Sequence, residues 1–234
     1  MTTSNDFSRF RWLLLSAGAV LAALPASAGG WRGVGEFEDA TIRVERNATD
    51  GDTEIVLTAK PLTDNGLVQF AVVSPHWRKV VEVEAPHRSK GLREFLFETP
   101  EPAGSAILQQ YPEGNYLLFG TAANGQRFVG SADLSHELPG ETTIVSPVDG
   151  AVVAPGPLTI RWAAVANAAQ YIVEFENESA DPEESFSFEV GNGVTSFAVP
   201  SAFVAPSSEF QVGVATVHAN GNVLFVESTF STAD

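Results

Sequence analysis

The chain contains no cysteine. That excludes disulfides, thiolate-ligated zinc and thiol nucleophiles together, so packing must hold the fold. Basic residues are scarce: 13 Lys and Arg stand against 29 Asp and Glu, a formal net charge of −16. A phosphate backbone or an anionic membrane surface selects clustered Lys and Arg, so nucleic acid is not an expected partner. Gly-x-Ser-x-Gly, His-Glu-x-x-His and a phosphate-cradling glycine loop before a helix are all missing. The 4 histidines are scattered singly. A triad assembled from distant loops is defined by geometry and leaves no such trace, so a hydrolase with a site invisible in sequence is the weakest of three functional expectations. Long apolar runs are also lacking. The longest, Trp12 to Leu24, has 13 residues, whereas a helix needs about 20 to cross a bilayer.

That short run follows Arg9 and Arg11 and ends in Pro25-Ala26-Ser27-Ala28. A basic start, a short apolar middle and an A-x-A site make a secretory signal peptide over 1–28. Cleavage near Ala28 is expected, giving a secreted or periplasmic protein with no integral membrane segment. No cysteine follows the small residues for lipid attachment. The remainder carries 11 basic and 28 acidic side chains. Acidity of this kind serves solubility.

Two stretches about 94 residues apart repeat one pattern. PEGNYLLFGTAANGQRFVGS occupies 112–131 and PSSEFQVGVATVHANGNVLFVE occupies 206–227. In each, Pro precedes an aromatic by four residues (Pro112 and Tyr116, Pro206 and Phe210), and Asn-Gly separates two strand-like runs. Asn-Gly there predicts a type I′ hairpin, whose two central residues both take φ > 0. Period-two alternation fills the rest: Ile42 and Val44 against Arg43 and Glu45, Val81 and Val83 against Glu82 and Glu84, Tyr171, Val173 and Phe175 against Ile172, Glu174 and Glu176. That is the pattern of half-buried antiparallel strands. The expected class is all-β, two tandem Ig-like sandwiches after the leader. Gly-rich residues 29–39 read as a flexible lead-in, whose Trp31 and Phe37 either pack back or stay as an exposed peptide, 40–139 as the first sandwich and 140–234 as the second, with Leu138-Pro139-Gly140-Glu141-Thr142 as linker. Residues 103–114 are the one plausible helical piece after the leader.

Candidate sites are few. His76-Trp77-Arg78-Lys79 sets an aromatic among basic side chains after a proline. Trp77 with Arg78 suits a sugar ring or an anionic group; alternatively Trp77 covers the core edge while the cations stay in solvent. Trp31 in the lead-in is a second aromatic candidate. Asn47, Asp50, Asp52 and Glu54 gather oxygens at one turn, in spacing that suits Ca²⁺. Asp-Gly-Asp is equally ordinary turn chemistry, so the expectation is no cofactor. His87-Arg88-Ser89-Lys90 reads as a solvated basic loop, His136 as a packed linker residue, and the run Glu174–Glu184 as a solvated acidic stretch. The charge is uneven: residues 29–140 hold 10 basic and 16 acidic side chains, residues 141–234 only Arg161 and 12 acidic ones.

The second half resembles a fibronectin type III domain. The resemblance covers about 142–232 and rests on Ser146-Pro147…Gly150, Leu158-x-Ile160-x-Trp162, Tyr171-x-Val173-x-Phe175, Thr195-Ser196-Phe197-x-Val199-Pro200 and Phe210-x-Val212-x-Val214-Ala215. It departs from the family at Phe210, where the family usually carries Tyr; the phenol's corner hydrogen bond cannot form, so packing alone should hold that corner. No Arg-Gly-Asp triplet supports integrin-type recognition. The first half resembles the Ig-like module that precedes such domains in largely uncharacterised bacterial secreted proteins, on PEGNY with its Asn-Gly hairpin, GLREFLFETPEP and GSADLSHELPG. The resemblance implies a non-catalytic secreted module that binds a protein or an envelope glycan at its loop ends. A structural spacer that pairs through edge strands is the second expectation.

Overall fold

The computed structural model describes residues 33–85, 91–100, 104–182 and 184–234. The leader, Trp31 and the basic loop 87–90 lie outside them. Strands dominate, as the alternation requires. In the first half they are β1 (Val34–Gly35), β2 (Phe37–Asn47), β3 (Thr53–Pro61), β4 (Leu67–Val73), β5 (Lys79–Glu84), β6 (Phe95–Glu98), β7 (Gly114–Ala122) and β8 (Arg127–Leu134). The helical piece is a single turn, α1 (Ile107–Gln110). In the second half come β9 (Ile144–Ser146), β10 (Ala151–Val153), β11 (Leu158–Trp162), β12 (Gln170–Asn177), β13 (Glu184–Gly191), β14 (Ser196–Val199), β15 (Glu209–Val217) and β16 (Val223–Thr232).

One core forms between β2-β3-β6 and β8-β7-β4-β5, filled by Val44, Ile55, Leu57, Phe70, Tyr116, Leu118 and Phe128. A second forms between β9-β11-β14 and β13-β12-β15-β16, filled by Ile160, Trp162, Tyr171, Val173, Phe175, Phe210 and Val212. In a constant-type immunoglobulin sandwich the fourth strand joins the sheet of the first, second and fifth. With the two-residue β1 set aside and β9 and β10 counted as one split first strand, the fourth strand of each half, β5 or β13, pairs with the third, β4 or β12. That is the fibronectin type III arrangement.

The lead-in differs from expectation. Val34 and Gly35 pair in parallel with Arg127 and Phe128, and Phe37 opens β2. The Phe37 ring meets Phe70 and Phe128 edge-on at 6.0 and 6.2 Å. Burying that ring offsets the ordering of the glycine-rich chain before it.

Both Asn-Gly hairpins form, but with another turn. Ala122 N–H bonds Gln126 O at 2.8 Å and Gly125 N–H bonds Ala122 O at 2.9 Å; His218, Asn222 and Gly221 repeat these bonds at 2.8 and 2.9 Å. Only the glycines take positive φ, +89° and +90°. This is a three-residue loop with glycine as a left-handed bulge. The Asn side chains accept from the backbone N–H two residues on, Gln126 and Asn222, an Asx turn that leaves Asn itself at negative φ.

The repeated Pro-to-aromatic corner is held in two ways. Tyr116 donates its OH to Pro112 O at 3.0 Å; burial, with Tyr111 nearby, pushes its pKa up to about 12 and keeps that proton in place. Phe210 is fully buried and stacks on Phe230 at 5.1 Å. The carbonyl of Pro206 is taken instead by Ser208 Oγ at 3.0 Å. Tyr116→Phe is therefore expected to cost about 1 kcal/mol in urea unfolding, while Phe210→Tyr gains nothing, its would-be acceptor being occupied. Equal responses at the two corners would contradict this account.

The two halves share a sheet. β16 pairs in parallel with β2, Val223 to Phe225 against Glu45 to Asn47. The result is an eight-stranded sheet running across the boundary, β13-β12-β15-β16-β2-β3-β6 in order, with β10 added in parallel on β16. Ala215, Val217, Val223 and Phe225 form a third apolar cluster, which Ile172 joins.

Candidate functional site

The joint consumes one loop end that recognition would otherwise use. Asn222, only 1% exposed, accepts Val44 N–H at 2.8 Å and donates to Ser135 O and Glu137 O, both at 2.8 Å. Asn220 donates to Glu137 O at 3.0 Å. The second Asn-Gly loop is thus a clamp on the linker rather than a free tip.

The β4–β5 hairpin repeats the bulged turn with one change. Ser74 N–H bonds Arg78 O at 2.8 Å and Trp77 N–H bonds Ser74 O at 2.9 Å, the pattern of the two glycine hairpins. Trp77 sits where they carry glycine, at φ 61°. A non-glycine residue there costs about 1–2 kcal/mol. Trp77 is also 79% exposed, so no packing offsets the strain, and it does not cover the core edge. Residues held in sparsely populated backbone regions concentrate at functional sites.

Beside this tip lies a recess of about 260 Å³ lined by Ser74, His76, Arg78, Lys79, Gln109, Gln110, Tyr111 and neighbouring Val80 and Pro112. The hairpin supplies its cationic wall, α1 and the chain entering β7 its opposite wall. Lys79 is paired with Glu82. Among the described residues no carboxylate pairs with His76 or Arg78. The opposite wall is anchored from behind: His136 Nε2 meets Tyr111 O at 2.8 Å and His136 N–H bonds Glu113 Oε1 at 2.7 Å. The His136 amide first, with smaller help from the His136 ring and the Ser135 hydroxyl, holds the Glu113 carboxyl below its ordinary range. Gly114, at φ +127°, admits Pro75, whose Cγ would lie 3.0 Å from any added Cβ. His136, expected as a packed linker residue, thus supports this wall.

The carboxylates at 50–54 serve their own turn. Asp50 Oδ1 accepts Asp52 N–H and Asp52 Oδ1 accepts Thr53 N–H, each at 2.8 Å, and Asn47 Oδ1 accepts Thr49 N–H at 2.9 Å. Glu54 is buried in β3. Among the described residues no group of three or more His, Asp or Glu is placed to hold a metal ion. The acidic stretch is not wholly solvated: Glu174 is buried on β12, facing away from the core that Val173 and Phe175 enter.

The protein is an all-β pair of fibronectin type III-like sandwiches sharing one sheet, with an exposed Trp–cation tip on the first. No protein-family model matches the chain, and no curated protein matches it. Solved structures similar to it include the chicken CNTN1 FN1-FN3 domains at 11% identity, covering 85% of this chain and 68% of that one with a TM-score of 0.34. A two-domain fibronectin type III segment of chicken tenascin has 12% identity, covers 83% and 98%, and scores 0.32. An Fn3-like protein from Clostridium thermocellum has 17% identity, covers 42% and 97%, and scores 0.29. Scores this low add nothing to the strand order, on which the assignment rests. Among the described residues no helix is long and apolar enough to cross a membrane.

Proposed function

We propose that the protein is a secreted, non-catalytic binding module that meets an envelope glycan or protein through the Trp77 tip. One observation carries the reading: Trp77 occupies a glycine position of a bulged hairpin while 79% exposed. Folding alone would favour glycine there twice over, by backbone conformation and by solvation. Trp77→Gly is therefore expected to raise the unfolding free energy by about 1 kcal/mol and to weaken binding of the labelled protein to isolated envelope fractions at least tenfold. Unchanged binding would overturn the reading, whatever happened to stability. The second reading, a rigid spacer, is favoured by the sheet that crosses the boundary and the Asn222 clamp, which hold the two halves at one angle.

A further inference from the structure

We propose, resting on the binding-module reading above, that the recess beside Trp77 is a site for an acidic sugar, a uronic acid unit whose carboxylate pairs with Arg78. Each part of such a ligand meets a suitable group. A guanidinium presents two parallel N–H groups to a carboxylate, the strongest geometry available to a surface pair. Among the described residues no carboxylate already fills the Arg78 fork. Gln109 and Gln110, both exposed at the recess, bring amide donors and acceptors for ring hydroxyls. Tyr111 gives an apolar wall, and Trp77, between the recess residues His76 and Arg78, offers an exposed face for the C–H side of the next ring. The volume of about 260 Å³ lies just under the span of drug-sized pockets, room for one ring rather than a long chain.

The surroundings select against other anions. A chain of formal charge −16 repels a densely charged polymer at a distance, so a ligand with one charge per ring is favoured over polyphosphate or nucleic acid. An acidic peptide that added along the open edge of β5 would meet Glu82 and Glu84, both exposed there. Like charges across a strand pair are destabilising. A compact anionic ring, bound at the tip rather than along the edge, avoids both penalties.

The test is an amide- and indole-detected NMR titration of the protein with tetragalacturonic acid. Cellotetraose serves as the uncharged control, and a tetraglutamate peptide and inorganic phosphate as the other anions. The expected result is saturating shifts at the Trp77 indole and at the Gln109 and Gln110 side chains with the uronate tetramer alone. Affinity should fall at least tenfold in R78Q and several-fold as salt rises from about 0.05 to 0.5 M. Arg78, Gln109 and Gln110 are all exposed, so R78Q does not threaten the fold. Equal binding of cellotetraose would overturn the acidic assignment, and equal binding of tetraglutamate or phosphate the sugar assignment. Silence with every probe, or affinity unchanged in R78Q, would overturn the site itself. In each of these cases, loss of envelope binding by Trp77→Gly would show that the binding-module reading survives; retention of that binding would end both.

Discussion

At pH 8.5, Glu174→Gln melts well above the parent protein, whereas at pH 4.5 the two melt together. Glu174 lies on β12, 8% exposed, on the outer side of the eight-stranded sheet. Its Oε1 accepts Ser187 Oγ at a long 3.4 Å, and its buried Oε2 has no partner among the described residues. Glu45 of β2 and Glu227 of β16 add negative potential. Burial first, then those neighbours, push its pKa up from 4.5 to about 7, against the smaller lowering by Ser187. The folded protein therefore binds the proton more tightly than the unfolded chain. Between about pH 4.5 and 7 it holds more protons, so stability falls as pH rises through that window and stays reduced above it. At 1.36 kcal/mol per unit the penalty at high pH is about 3 kcal/mol. Gln keeps the shape without the charge and removes that penalty, for a gain of about 5–10 °C. Below pH 4.5 the carboxyl is neutral in both states, and the substitution changes little. A melting difference of the same size at both pH values would refute the assignment of the penalty to this carboxyl.

Asn222→Ala carries the opposite sign and a larger structural consequence. The side chain makes three bonds of 2.8 Å, to Val44 N–H, Ser135 O and Glu137 O. Val44 is fully buried, so its N–H would lose its partner with no water to replace it. Unmet buried groups cost about 1–3 kcal/mol each, and the total expected loss is about 3–5 kcal/mol. The joint should loosen as well. Backbone pairing of Val223 to Phe225 with β2, Ala48 N–H to Phe225 O at 2.8 Å and Glu227 N–H to Thr49 Oγ1 at 2.9 Å remain, but the linker is no longer pinned. Calorimetry should then resolve two transitions where the parent shows one. One transition at an unchanged temperature would mean that the shared sheet, not the clamp, couples the halves.

How much of this was legible beforehand divides along a physical line. Alternation along a strand is a local property. Ile42 and Val44, Val81, and Tyr171, Val173 and Phe175 all point inward as the period of two requires. Both Asn-Gly hairpins stand where they were expected, and the want of a phenol at Phe210 correctly removed one corner bond. The turn type was misread, because Asn chose an Asx turn over a left-handed backbone. Residues 34–39 form strands where glycine content pointed to a flexible lead-in; of the two alternatives for Phe37 the structure takes the packed one, because the ring finds Phe70 and Phe128 across the core. The acidic stretch was misread at Glu174, because a charge pattern does not state which outer face is covered. Trp77 was singled out by its company, yet its glycine-like backbone, the stronger sign of function, depends on matching hydrogen bonds across three hairpins.

Composition and short-range pattern thus determined the all-β class, the two cores and the hairpins, since each needs only neighbours in the chain. Tertiary structure alone decided that β16 meets β2, that Asn222 closes the joint, and that a recess opens beside Trp77. These depend on edges and loops brought together across as many as 178 residues, and every strand edge offers the same N–H and C=O groups whatever side chains it carries.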